Sequence, residues 1–209
     1  MHQYVVITAD IIDSKTHQNF NKELAKSLSN FQSPALLTPF TISRGDELQA
    51  LVKNLGVFPK ILRDLRYQCR PYQLRIGVGL GKIEEFILGK SSWEMNGEVF
   101  HYARQALENL GKIKKPTTAL FSGCAQLDLT FNTILSLTDT LIAGWTRDQW
   151  EAVQTYEAVG TYAKAAEKLD VSWQNIQKHC HAANWETIRD AEINTRVLLL
   201  QRSHSFLHN

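Results

Sequence analysis

Apolar and polar positions follow two successive regimes along this chain. Tyr4 to Ile12, YVVITADII, is rich in β-branched residues and ends in an Asp and Ser cluster, which predicts a strand emptying into a loop. Phe20, Leu24, Leu28 and Phe31 then recur at helical spacing and predict one amphipathic helix. A polar stretch from Ser33-Pro34 to Pro39 reads as a connector. Phe40 to Ser43 and Leu48 to Val52 predict two strands joined by a tight turn at Arg44 to Glu47. Pro59 suits the first turn of a helix carrying Ile61, Leu62 and Leu65. Gln73 to Ile83 alternates with period two, as a strand does. Val99, Ala103, Ala106, Leu107 and Leu110 form another helical face, and Thr117 to Phe121 predicts a last strand.

The resulting order, β-α-β-β-α-β-α-β, predicts an α+β fold: a ferredoxin-like βαββαβ sheet with appended elements. Beyond Gly123 no strand pattern returns. Leu127, Phe131, Ile134 and Leu135 open a run of helices, so the expected boundary lies near residues 122–126. The expected domains are 1–123, carrying the sheet, and an all-α 124–209.

Composition changes this picture little. Apolar residues make up 44% and charged residues 21% of 209, as in ordinary globular domains. No apolar run is long enough to span a membrane, and the start, MHQYVVITADIID, carries neither a basic n-region nor a cleavage site. Cys69, Cys124 and Cys180 are odd in number and widely spaced, so a reducing cytoplasm with three structural thiols is expected. A net charge of +2 is too small to argue for nucleic acid by itself.

The candidate chemistry lies at strand ends. Gly45-Asp46 at a hairpin tip is what such turns use anyway. Asp10, however, ends the first strand, and a β-α-β-β unit sets that strand beside the hairpin. Asp10 and Asp46 are therefore expected to converge at one sheet end, where two carboxylates suit Mg²⁺ or Mn²⁺ together with substrate phosphates. Gly77, Gly79 and Gly81 form a GxGxG run, but no helix follows at the distance a dinucleotide-binding loop needs. Glycines inside a strand instead admit a closely approaching backbone or ligand, here read as the lining of a shared cleft.

VITADIIDSK, ISRGDELQALV, LRIGVGLGKI and GEVFHYARQALE resemble, in order, the four motifs of the nucleotidyl-cyclase palm. That group covers class III adenylyl and guanylyl cyclases and, more distantly, GGDEF domains. Within it the chain most resembles the SatD family, small bacterial proteins that pair such a region with a helical tail. The resemblance covers about residues 3–121. It implies that Asp10, Asp46 and the backbone carbonyl of Ile11 hold the metal. It also implies that the loop Ile12, Asp13, Ser14 and Lys15, with Gly45, wraps the phosphates of a nucleoside triphosphate or other nucleotide. Arg104 falls on the arginine that stabilises the transferring phosphate, a residue that crosses from the partner subunit in cyclases, which implies a homodimer. Departures accompany the match. Phe100 replaces an Asn, Phe40 replaces the base-reading Lys, and Trp93 lies near the place of the acidic residue that reads the purine. Phe40 and Trp93 could stack on a base or belong to the core.

In the tail, TYAKAAEKLDVSWQNIQKHCHAANW, residues 161–185, has the spacing of a helix-turn-helix and resembles those of sigma-factor and repressor tails. Ala166 is small where two helices touch, Leu169 and Val171 bracket the turn, and Ser172 suits the N-cap of the second helix. Ser172, Trp173, Gln174, Asn175, Gln177, Lys178 and His181 are then expected on its outer face, where Gln and Asn can read adenine and Lys can reach phosphate. From Thr146 to Asn209 seven Lys and Arg face eight Asp and Glu, a net −1, which is poor for phosphate binding. His179 and His181 are two apart on a helix and cannot share one ion. Trp145, Trp150 and Trp185 are expected to pack the helices together. The expected function is a nucleotide- or metal-responsive transcriptional regulator. The alternative is a metal-dependent nucleotidyl cyclase or transferase.

Overall fold

The computed structural model describes residues 3–14, 20–43, 46–111 and 117–205. Among them are one five-stranded sheet and eight α-helices, an α+β protein. The first compact unit consists of Met1–Ser136 with Thr195–Asn209, and the second of Leu137–Asn194.

In the first unit, β1 (Tyr4–Ile11) is the central strand. It pairs antiparallel with β3 (Leu48–Val52) on one side and β4 (Leu74–Gly81) on the other. β2 (Leu36–Ile42) lies outside β3, and β5 (Thr118–Phe121) runs parallel to β4, giving the order β2-β3-β1-β4-β5. Alternation along β1 divides the core. Val5, Ile7, Ala9 and Ile11 join Leu24 and Leu28 of α1 (Phe20–Ser29) and Ile61, Leu62 and Leu65 of α2 (Phe58–Gln68). Val6 and Leu51 face the other way, toward Met95, Val99 and Ala103, the last two on α3 (Glu98–Leu110). Phe131 and Leu135 of α4 (Ala125–Ala143) and Leu199 of α8 (Trp185–Ser205) complete the first of these cores.

Two local features depart from expectation. β2 begins at Leu36 and runs through Pro39, within the stretch read as a connector. An edge strand tolerates proline because one side of its ladder faces no partner. The cost shows as register shifts against β3 between Leu36 and Thr38 and between Thr38 and Thr41. On β4, the backbone that approaches the glycines closely is that of α3. A Cβ built on Gly77 would lie 2.5 Å from Leu107 N, and one on Gly79 would lie 2.6 Å from Ala103 N. The bare strand face lets α3 lie directly on the sheet.

In the second unit, α5 (Arg147–Val159), α6 (Tyr162–Leu169) and α7 (Trp173–Ala182) pack on one another pairwise. Each start is capped. The Thr146 and Thr161 side chains accept from the Gln149 and Lys164 N–H groups, and Thr146 and Gln149 form a reciprocal capping box. Gly160 closes α5 in the left-handed region at φ 80°. Trp145 meets Trp150 edge-on, with ring centroids 4.6 Å apart, and donates its indole N–H to Ala183 O at 2.8 Å. Trp150 and Trp185 are also buried, so all three tryptophans do pack this unit.

Candidate functional site

Cross-strand register gathers the polar residues of one sheet face into two adjacent rows. Thr41 pairs with Gln49, Gln49 with Thr8, and Thr8 with Gly77, so these four share a face. The row is buried where it crosses Thr8 and Gln49, and Gln49 Nε2 donates to Thr8 Oγ1 at 3.1 Å. One step toward the sheet end, Asp10 pairs with Arg75. This second row is where the expected site residues lie.

Asp10 does not stand open. Arg75 donates from Nε to Asp10 Oδ1 at 2.9 Å and from Nη2 to Oδ2 at 2.8 Å, a fork that engages both carboxylate oxygens. The Asp10 side chain is only 18% exposed. The guanidinium pKa is raised first by this hydrogen bond, against partial desolvation. The charges of Asp10, Asp46 and Asp13 add to the rise. The structure thus places Asp10, Asp46 and Asp13 each within electrostatic reach of Arg75.

Ile11 is buried as the last residue of β1. Ile12 uses its N–H on Gln73 O at 2.9 Å, so that donor is taken by the sheet, where a phosphate-wrapping loop would need it. Asp13 turns the chain through the left-handed region at φ 57°, and half-buried Ser14 follows. Lys15 and Gly45 lie outside the described residues.

Arg104 sits on α3 and reaches Glu47 of its own chain. Its Nη1 donates to both Glu47 oxygens at 2.6 Å, and its Nε donates to Glu108 Oε1 at 3.0 Å. Its pKa is raised, the Glu47 hydrogen bond being the largest cause. The arginine expected to cross to a partner is therefore satisfied within the chain. Phe40 and Trp93 are not brought together as a stacking pair. Phe40 is 5% exposed and meets Phe31 edge-on at 5.3 Å in the core, whereas Trp93 is 36% exposed in a short 3₁₀ turn at Ser92–Glu94.

These residues do not fit a divalent ion as they stand. A hard cation needs free carboxylate oxygens, and Arg75 engages both on Asp10. Among the described residues no group of three His, Cys, Asp or Glu is arranged to hold a metal. Sequence reasoning missed Arg75 and Glu47. The available signal was register: Asp10 and Arg75 alternate in phase with the residues of β1 and β4 that share one face.

Residues 161–185 hold two helices, α6 and α7, joined at Asp170. Asp170 ends α6 at φ 54°, and Val171 N–H returns to Ala166 O at 3.1 Å. Ser172 caps α7 by accepting from Asn175 N–H at 3.3 Å. Ala165, Ala166, Ile176 and Cys180 face inward. Ser172, Trp173, Gln174, Gln177, Lys178 and His181 are exposed, and Asn175 is half-buried. Val171 and Trp173 border an open hollow shared with Ala163, Ala166, Glu167 and Asp170.

The SatD family model matches residues 4–187. The chain belongs to the SatD family. The match spans strands of the first unit and the helices of the second, so the family unit includes both. No curated protein matches the chain. Among the described residues of this SatD-family chain, no helix is long and apolar enough to cross a membrane.

Proposed function

We propose that this SatD-family chain is a nucleotide-responsive DNA-binding regulator, built from a ferredoxin-like palm of nucleotidyl-cyclase type and a helix-turn-helix domain. The observation that carries the reading is the arrangement of α6, the left-handed Asp170 and the Ser172-capped α7, which leaves Gln174, Gln177 and Lys178 exposed on one helix. Such a helix can enter a major groove and pair amide side chains with adenine. Support for the palm comes from the order β2-β3-β1-β4, which is the ferredoxin-like one, and from the acidic end of β1 and β3.

The enzyme reading is weaker on geometry. In-line phosphoryl displacement with two metals needs the Asp10 and Asp46 oxygens, and Asp10 gives both of its own to Arg75. Few cations support phosphate contact. Lys164, Lys168 and Lys178 are the exposed lysines of α6 and α7. If all three contact phosphate, the logarithmic salt slope is about −3 per subunit, from about −0.9 per neutralised phosphate. A homodimer reading two half-sites would double it.

The test is selection from a random duplex library by the full-length chain, with and without each nucleoside triphosphate. The reading expects an enriched, two-fold symmetric motif whose affinity changes with one nucleotide and falls in Lys178→Ala. No enrichment under any condition would overturn it.

A further inference from the structure

A cluster of carboxylates at a sheet end needs a cation, because like charges held close cost free energy that water screens less as burial increases. At this sheet end the Arg75 guanidinium forks Asp10 and lies within electrostatic reach of Asp46 and Asp13. Three features make this more than a surface ion pair. The fork meets both Asp10 oxygens at 2.8–2.9 Å, a geometry that lysine or a spherical ion cannot reproduce. Asp10 and Arg75 are direct cross-strand partners, so the sheet ladder sets the approach. β4 is held against α3 where Gly77 and Gly79 admit the helix backbone, which leaves the strand little freedom to shift. The neighbouring carboxylate, Glu47, is engaged by a second guanidinium, Arg104, whose single Nη1 donates to both of its oxygens.

We propose that Arg75 is the resident cation of this acidic sheet end, in place of the divalent metal ion that the sequence resemblance implied at Asp10. The chain therefore binds no divalent ion through Asp10, and any ligand of this end meets a fixed guanidinium. This inference does not depend on the regulator reading: it concerns the cation alone and is tested without nucleotide or DNA.

The experiment is Mn²⁺ titration of the EDTA-treated, full-length chain, with free Mn²⁺ followed by electron paramagnetic resonance. Five proteins are compared: wild type, Asp10→Asn, Arg75→Ala, Arg75→Ala with Asp10→Asn, and Arg75→Lys. Wild type and Asp10→Asn are expected to give the same titration. Arg75→Ala is expected to gain one site with a dissociation constant below about 1 mM, the weak end of carboxylate sites, and to melt at higher temperature with Mn²⁺ than without. Adding Asp10→Asn should remove that gain. A wild-type site abolished by Asp10→Asn overturns the proposal, whatever the Arg75 variants do. So does an Arg75→Ala protein, folded by circular dichroism, that takes up no Mn²⁺. Arg75→Lys keeps the charge but loses the fork, so it should take up Mn²⁺ more weakly than Arg75→Ala; equal uptake by the two would count against the charge of Arg75 acting as the cation.

Discussion

Gly79→Ala tests the contact on which the sheet-end geometry depends. An alanine Cβ at this position would lie 2.6 Å from Ala103 N, closer still to Val99 O and 3.1 Å from Ala103 Cβ. Ordinary contact begins near 3.4 Å, so α3 would have to lift by about 0.8 Å or more. Two of the obstructing atoms are helix backbone, so no rotamer change relieves them. Overpacking of this kind costs about 1–3 kcal/mol, and the backbone clash places Gly79→Ala near the upper end. At about 2–4 °C per kcal/mol for a domain of this size, the first unit should melt roughly 6–12 °C lower. The control is Gly111→Ala, just past α3, where a Cβ meets Glu108 O only at 3.4 Å and φ is an ordinary −58°. That change should be neutral or slightly stabilising. The assay is urea and thermal unfolding by far-UV circular dichroism of the full-length proteins. A Gly79→Ala protein within about 0.5 kcal/mol of wild type, the scatter of ordinary surface substitutions, would refute the claim that α3 rests on the β4 backbone.

Other consequences follow from caps, burial and hydrogen bonds. Ser172→Ala removes the side-chain acceptor of Asn175 N–H and should destabilise the second unit by about 1 kcal/mol, read from urea midpoints. Asp170→Gly relieves a left-handed backbone at φ 54° and should stabilise that unit by about 1 kcal/mol in the same assay; lower stability would show that the Asp side chain offsets the strain. Burial pushes the Cys69 thiol up to about 12, with Arg66 opposing, and pushes Cys180 to about 11. Iodoacetamide at pH 8.5 should therefore modify half-exposed Cys124 in the native protein and reach Cys69 and Cys180 only in denaturant. Because both folded values are raised above the ordinary thiol value of 9.0, these groups add stability below that pH. They should lose it as pH climbs toward 11 and 12, visible as falling urea midpoints.

Much of the fold was legible because its signals are local. β1, β3 and β4 carry period-two or β-branched runs whose observed ends fall within two residues of the expected ones, and α2 and α3 carry clean apolar stripes. β2 was partly hidden because Pro39 reads as a breaker, although an edge strand accommodates it. At the site, Asp10 and Asp46 could be assigned to one sheet end from topology alone. Arg75 and Glu47 could not be assigned partners in that way. Their roles depend on which residues lie opposite across the ladder and on where α3 rests, neither of which is encoded within a few residues of sequence. Phe40 shows the same limit: an aromatic aligned with a base-reading position proved to be a core residue against Phe31. Helix patterning after Gly123 likewise marks where strands stop, not which core each helical face joins, and α4 and α8 contribute to both compact units.

That discontinuity bears on how damage to the chain propagates. Leu199, 4% exposed, shares a core with β1 and α2 although about 80 residues separate it from the last strand. A premature stop near residue 194 would spare every strand and all of α5 to α7, yet it would remove a wall of the oldest-written part of the polypeptide. During synthesis the same geometry means that the sheet emerges long before its core can close. The nascent first unit lacks Leu199 until nearly the whole chain is made, which leaves part of that apolar core open to chaperones or to aggregation in the interval.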